Sequence, residues 1–273
     1  MATGLKRDTR DKFYTKEAVA TECVALASEH LGIGENDMVV EPSAGNGAFI
    51  SAIKQLCSNY RFYDLFPENT AIIQQDYLRL NTQEFTGHPR IHIIGNPPFG
   101  RQSSLAIRFI KKSVEYADTV SFILPRSFKK DSMRKHFPRR FHLLFENDLP
   151  DNSFTVNGED HDVPRVFQIW EKRDMDRQIP QKLEPQGYKF VKKNEPHDIA
   201  FRRVGVFAGA IFRETSEKSE QSHYFIKFEN DLSESMFHEL KSIDYQCKNN
   251  TVGARSISKQ ELIKEYNMVI ERD

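Results

Sequence analysis

An α/β fold with a mainly parallel sheet is predicted by three features of the chain. Short apolar runs alternate with helix-like stretches, Gly-rich or Pro-rich turns follow several of those runs, and aspartates or glutamates stand where runs end. Lys16 to Leu31 reads as an amphipathic helix with Val19, Cys23, Leu26 and Leu31 apolar, Thr15 as its cap, and Gly32 and Gly34 at its end. Asp37 to Glu41 reads as a short buried strand. The turn Pro42 to Gly47 follows, then a helix from about Ala48 through Ile53 and Leu56. Tyr60 to Leu65 is the next strand, and Ala71 to Ile73 begins another. Ile91 to Gly95 is an apolar run stopped by Asn96-Pro97-Pro98, because neither proline can donate a ladder hydrogen bond. Leu105 to Tyr116 reads as a helix and Thr119 to Leu124 as a strand. Phe141 to Asn147 and Val166 to Trp170 are two more strands with no helix between them, which predicts an antiparallel hairpin at the sheet edge.

The pattern changes near Glu171 to Asp174, which places a boundary near residue 175. Beyond it the strand-like runs Ile199 to Phe212 and Tyr224 to Phe228, with helical patterns at Ser233 to Ser242 and Lys259 to Tyr266, predict a small α+β domain. Tyr224, Phe225 and Phe228 are expected in its core.

The 273 residues carry 39 Lys+Arg against 39 Asp+Glu, which excludes a polycation or an acidic tail protein and leaves room for a local basic patch. No apolar run reaches the ~18 residues of a spanning helix, so no membrane association is expected. Met1 to Lys12 is polar and lacks the apolar stretch of a secretory signal. Cys23, Cys57 and Cys247 stand far apart, which fits a reducing, cytoplasmic setting better than a disulfide framework. Pro89 separates His88 from His92, and a strand follows, so no metal site is expected there or elsewhere. His161, between Asp160 and Asp162, reads as a polar loop.

Two motifs carry chemistry. In Glu41-Pro42-Ser43-Ala44-Gly45-Asn46-Gly47, between a strand and a helix, the glycines admit a ligand close to the backbone, or merely shape a tight turn. Asp64, 17 residues after Gly47, and Asp76 stand near the ends of the next strands, along the sheet edge where ligands bind, or are ordinary loop or cap aspartates. In Asn96-Pro97-Pro98-Phe99 the asparagine accepts and donates hydrogen bonds, the prolines stiffen the turn and leave the Pro97 carbonyl as an acceptor, and Phe99 offers a flat face. Two acceptors above a ring suit an exocyclic amino group; a rigid turn without function is the alternative.

At these motifs the chain resembles class I S-adenosylmethionine-dependent methyltransferases acting on the N6 amino group of adenine. Phe13-Tyr14-Thr15, then the Glu-Pro-Ser-Ala-Gly-Asn-Gly segment, then Asn-Pro-Pro-Phe is similar to the gamma order of DNA adenine methyltransferases. The resemblance spans roughly Asp11 to Trp170. It implies a Rossmann-like domain with a seven-stranded sheet over residues 1–175, and a target-recognition domain over residues 176–273.

It also implies roles. Thr15 would bond the carboxylate of S-adenosylmethionine, with Tyr14 nearby, and Glu41 would face its ammonium. Pro42, Ser43, Gly45 and Gly47 would shape the loop around it, and Asn96 would also border it. Asp64 would accept its ribose hydroxyls and Leu65 would pack on its adenine. Asp76 would accept from that adenine's amino group, with Tyr77 against the ring. The target adenine would flip into the pocket. Asn96 and Pro97, held by Pro98, would accept its two N6 hydrogens, and Phe99 would stack on it; Phe here replaces the Tyr common in the family. Phe154 resembles the aromatic that covers the base's other face, or is an ordinary core phenylalanine.

Arg126 to Arg140 holds seven basic residues against one acid. Arg126, Lys129, Lys130, Arg139 and Arg140 would contact phosphates, or form a solvated helix face. The expected partner is nucleic acid, DNA ahead of RNA, with the chain a monomer or weak dimer and a restriction enzyme or accessory protein as a possible associate. Competing readings are N6 methylation of RNA, methylation of a protein glutamine, and a silent accessory subunit.

Overall fold

A computed structural model describes residues 13–156, 158–251 and 253–271. Met1 to Lys12, read above as lacking an apolar leader, lie outside the described residues. The chain divides into two compact units, Met1–Ile179 and Pro180–Asp273.

The first unit opens with a two-residue strand β1 (Tyr14–Thr15) and helix α1 (Glu17–Leu31). Ala20, Cys23, Val24, Ala27 and Leu31 are its buried positions, a helical stripe laid on the sheet. The expected cap is corrected. Lys16 occupies the N-cap position without a side-chain bond, because Thr15 belongs to β1 and its hydroxyl is engaged elsewhere. There follow β2 (Met38–Glu41), α2 (Ile50–Leu56), β3 (Asn59–Asp64), β4 (Ile73–Gln74), β5 (Ile91–Gly95), α3 (Ser104–Ser113) and β6 (Thr119–Pro125). Then come the short α4 (Asp131–Arg134), β7 (Phe141–Asp148), β8 (Phe154–Val156), β9 (Glu159–His161) and β10 (Arg165–Lys172). The strand expected to begin at Ala71 is only the two residues of β4. His161, expected in a loop, lies in β9.

The main sheet has seven strands in the order β4-β3-β2-β5-β6-β10-β7. β2 to β6 pair in parallel, and β10 runs antiparallel to both β6 and β7, so the expected mainly parallel sheet with an antiparallel edge is present. β2 and β6 are buried along their whole length, as strands covered on both faces must be. Alternate side chains feed two cores. Val39, Phe62, Ile94, Ile123 and Phe167 pack with α1 and α2, while Val40, Tyr63, Ile93, Phe122 and Trp170 pack with α3 on the other side. The sequence pattern did not anticipate the small sheet β1-β8-β9, in which the N-terminal strand pairs with the segment between β7 and β10.

The second unit is an antiparallel sheet of β11 (Tyr188–Val191), β12 (Ile199–Arg202), β13 (Ile211–Phe212) and β14 (His223–Phe228), in the order β11-β14-β12-β13. Helices α5 (Glu234–Ser242) and α6 (Lys259–Ile270) complete it. Ser258 and Glu261 form a reciprocal capping box at the start of α6. Phe225 and Phe228 are core residues of this unit, and Tyr224 is half-buried against it.

Candidate active site

The order of the parallel strands reverses at β2, with β3 on one side and β5 on the other. A crevice therefore opens at the carboxyl ends of β2 and β5, where ligands bind in open α/β sheets. Glu41 ends β2 and Gly95 ends β5. A Cβ at Gly95 would come within 3.2 Å of Glu41 Cγ and 3.4 Å of Pro42 Cδ, so glycine lets the two strand ends close on each other. The Ser43 hydroxyl donates to the Asn96 carbonyl at 3.1 Å and ties the two motif loops together.

The Gly-rich turn is fixed by β3. Ala44 N–H donates to the Tyr63 carbonyl at 2.9 Å, and Gly45 N–H to Asp64 Oδ2 at 2.8 Å. Gly45 and Gly47 have φ of 53° and 93°, and a Cβ at Gly47 would lie 2.7 Å from Ile50 Cδ1, so side chains are refused on both conformational and steric grounds. Asp64 Oδ1 accepts from Phe66 N–H at 2.8 Å. Its carboxylate thus fastens two loop segments and keeps lone pairs to spare, since an ionised carboxylate has about four acceptor sites. Leu65 and Phe66 beside it are 52% and 64% exposed, an apolar rim of which only Leu65 was read from the sequence. Asp76 caps a 3-10 turn by accepting from Leu78 N–H at 3.0 Å.

Tyr77 is corrected. The turn capped by Asp76 sends its ring into the core, where it stacks on Phe109 and its hydroxyl meets those of Ser113 and Tyr116 at 2.8 and 2.9 Å. It has no open face for a ligand's ring.

Glu41 is 1% exposed, and its Oε2 has no hydrogen-bond partner among the described residues. Burial, with a smaller contribution from the charge on Asp64, pushes its carboxyl well above the usual range. A buried carboxyl with an empty acceptor is suited to an incoming cation.

Asn96 is oriented by the N-terminal strand. Its Nδ2 donates to Thr15 Oγ1 at 3.1 Å and toward the Phe13 carbonyl at 3.4 Å. A carbonyl oxygen can only accept, so the amide nitrogen must face it, which leaves Oδ1 pointing elsewhere. That oxygen is buried and has no partner among the described residues. The Tyr14 hydroxyl donates to Glu68, and its ring lies over Gly45. β1 is therefore a strap across the Gly-rich turn and the Asn-Pro-Pro-Phe turn.

Phe99 carries the guanidinium of Arg165 over its ring, 4.4 Å from the centroid. Phe154 is 1% exposed and shares that guanidinium at 5.8 Å. Sequence reasoning missed Arg165, because a basic residue at a strand start carries no signal of what it will touch. Charges in the basic segment are partly compensated: Arg126 and Lys129 share Asp148, at 3.2 and 2.8 Å, Arg134 pairs with Glu146 at 2.9 Å, and Arg139 pairs with Asp176 at 3.2 Å. Arg140 is exposed. The segment folds as a 3-10 turn and the four-residue α4. Among the described residues, no three His, Cys, Asp or Glu side chains are placed to hold a metal, and no helix is long and apolar enough to cross a membrane.

The strand order and the Gly-rich turn after β2 are those of a Rossmann-like class I methyltransferase, the class whose cofactor is S-adenosylmethionine. Within it, the chain belongs to the EDM2 methyltransferase-like domain family, whose sequence pattern it matches over residues 33–179. It is similar to the protein ENHANCED DOWNY MILDEW 2 of Arabidopsis thaliana, 26% identical over 167 residues that cover 53% of this chain and 13% of that protein. The chain thus spans a small part of that relative's length. Among solved structures it is similar to TrmN from Thermus thermophilus, with a TM-score of 0.39 and 19% identity, covering 57% of this chain and 49% of that one. It is also similar to the N-methyltransferase NodS from Bradyrhizobium japonicum in complex with S-adenosyl-L-homocysteine, with a TM-score of 0.41 and 12% identity, covering 56% and 86%.

The site's residues fit that cofactor. The unpaired Glu41 oxygen suits an ammonium, the turn around Gly45 and Gly47 excludes side chains from the backbone, and Asp64 retains acceptor capacity at the end of β3.

Proposed function

We propose that this chain transfers a methyl group from S-adenosylmethionine to the N6 amino group of adenine in DNA. The observation that carries the reading is Asn96. Its amide nitrogen is held by Thr15 and Phe13, and its buried Oδ1 is left without a partner. A buried acceptor left empty costs about 1–3 kcal/mol, a cost that is recovered when a donor arrives.

When bound, the cofactor supplies an electrophilic methyl group on a good leaving group. Glu41, Gly45, Gly47 and Asp64 would hold it, with Leu65 and Phe66 on its apolar side. Asn96 Oδ1 and the Pro97 carbonyl, which accepts no hydrogen bond among the described residues, would take the two N–H bonds of the target amine. Accepting both turns the nitrogen lone pair toward the methyl carbon. As the N–C bond formed, the methyl–sulfur bond would break with its electrons kept by sulfur, and the cationic amine would give its extra proton to water, so no strong base is needed. Positioning and hydrogen-bond electrostatics do the work. The second unit would contact the nucleic acid around the target. With Arg126, Lys129 and Arg139 paired to acids, the exposed Lys135 and Arg140 are the phosphate contacts that segment would offer.

A silent accessory subunit is the second reading, supported by the burial of Phe154 and the guanidinium seated on Phe99. Label transfer from S-adenosylmethionine to duplex DNA, single-stranded DNA and RNA, with the product nucleosides identified by mass, separates the readings. N6-methyladenine in DNA that disappears in Asn96→Ala supports the first. Label in RNA alone moves the substrate and keeps the chemistry. Cofactor binding without transfer to any of them favours the second.

A further inference from the structure

The place expected for the target's planar ring is taken by a side chain of the protein itself. Arg165 opens β10 and pairs in register with Pro125 at the carboxyl end of β6, so it stands on the ligand edge of the sheet. Its guanidinium carbon lies 4.4 Å from the centroid of Phe99, 5.6 Å from Phe13 and 5.8 Å from Phe154. Its Nη1 donates to the Pro164 carbonyl at 3.2 Å, and the residue is 4% exposed. Phe99 and Phe154 are the two rings expected on opposite faces of the target, and Phe13 belongs to the segment that orients Asn96. A guanidinium is flat and delocalised and stacks on aromatic faces much as a heterocycle does, and it is weakly hydrated, so it tolerates burial.

We propose that Arg165 is a gate, its guanidinium seated on Phe99 in place of the target ring, so that a planar substrate must displace it to reach Asn96. The proposal rests on the reading of adenine as the target. It explains how Asn96 can be set for an amino group while Phe154 is fully buried: the pocket is formed but filled. Displacing the guanidinium forfeits its contacts with three rings, and that loss is subtracted from target binding. The apparent affinity therefore falls by the fraction of molecules that are closed.

The wild-type chain, Arg165→Ala and Arg165→Lys are compared for binding to an oligonucleotide with a single adenine and to the same oligonucleotide abasic at that position, in S-adenosylhomocysteine. Methyl transfer to the adenine oligonucleotide is measured in parallel. The ratio of the two affinities isolates the pocket from phosphate contacts. The gate predicts that both variants raise the adenine preference, Arg165→Ala by about tenfold. Arg165→Lys does so with the positive charge kept, because the flat cation is what fills the pocket. The lysine variant also serves if the alanine variant does not fold.

An unchanged preference, with wild type still methylating adenine, overturns the gate and leaves the reaction standing. A reduced preference overturns it too and makes Arg165 a positioning residue that holds Phe99. No adenine preference and no transfer in any of the three proteins overturns the gate together with the base reading.

Discussion

Asn96 donates from its amide nitrogen to the Thr15 hydroxyl across 81 positions of sequence, at 3.1 Å. The contact joins the turn after β5 to the strap β1, and it decides which atom of the carboxamide faces the pocket. Thr15→Val keeps the shape and removes the acceptor. Turnover should fall by about tenfold, the cost of one lost orienting hydrogen bond. Thr15→Ser should restore it. Steady-state kinetics of the three proteins checks this, and equal turnover in Thr15→Val means that Phe13 alone orients Asn96.

Asn96→Ala should lower turnover by about a hundredfold or more, as loss of one preorganised acceptor or donor at a reacting centre does. Cofactor affinity, measured by calorimetry, should change little, because in the proposed binding mode Glu41, the Gly-rich turn and Asp64 would hold that ligand. Loss of both together would place Asn96 in the cofactor site instead.

Glu41 sets a pH dependence. Its carboxyl is held well above the usual range by burial, then by the charge on Asp64, so the free protein keeps its proton at pH values where the unfolded chain has lost it. Folding then binds a proton, and stability falls as pH rises from the unfolded value of about 4.3 toward the raised folded value. In the proposed binding mode the ammonium of the cofactor would reverse the preference and favour the carboxylate. Binding should therefore release a proton, and affinity should rise with pH until Glu41 is ionised without help. Glu41→Gln should melt higher than wild type near neutral pH and lose the rising limb of the affinity profile. Melting curves and calorimetry in buffers of different ionisation enthalpy read both effects.

His92 gives the opposite sign. It is buried between Asp37, at 3.2 Å, and the Thr119 hydroxyl, at 2.8 Å, and burial lowers its pKa. The unfolded chain takes up a proton near pH 6.5 while the folded one resists, so stability falls as pH drops below that value and levels off below the folded pKa. His92→Gln, which cannot titrate, should flatten this part of the stability profile between about pH 6.5 and 5. An unchanged acid limb would assign it to other groups.

Gly95→Ala tests the closure of the two strand ends. The new methyl would lie 3.2 Å from Glu41 Cγ and 3.4 Å from Pro42 Cδ, in a region with no slack. A loss of about 1–3 kcal/mol in chemical denaturation is expected, the usual cost of overpacking. Cofactor affinity should fall as well, because Glu41 would be the group pushed aside.

Much of this protein was readable without coordinates, because its signals are local. Two prolines after Ile91 to Gly95 end a strand whatever surrounds them, and glycines at 45 and 47 mark a turn that side chains cannot enter. Apolar runs buried on both faces announce a parallel sheet, and acids at their ends mark one edge of it. Those rules placed Glu41, Asp64 and Asn96 together. What the pattern could not contain is contact between segments far apart in sequence. The pairing of β1 with β8 decides that Thr15 orients Asn96 rather than capping α1. A 3-10 turn capped by Asp76 decides that Tyr77 enters the core. The acids Asp148 and Asp176 decide how much charge the basic segment presents. The packing of Arg165 against Phe13, Phe99 and Phe154 decides what fills the pocket. Each depends on which distant side chains meet at short range, and that is settled by packing the whole sheet at once rather than by the identity of neighbouring residues.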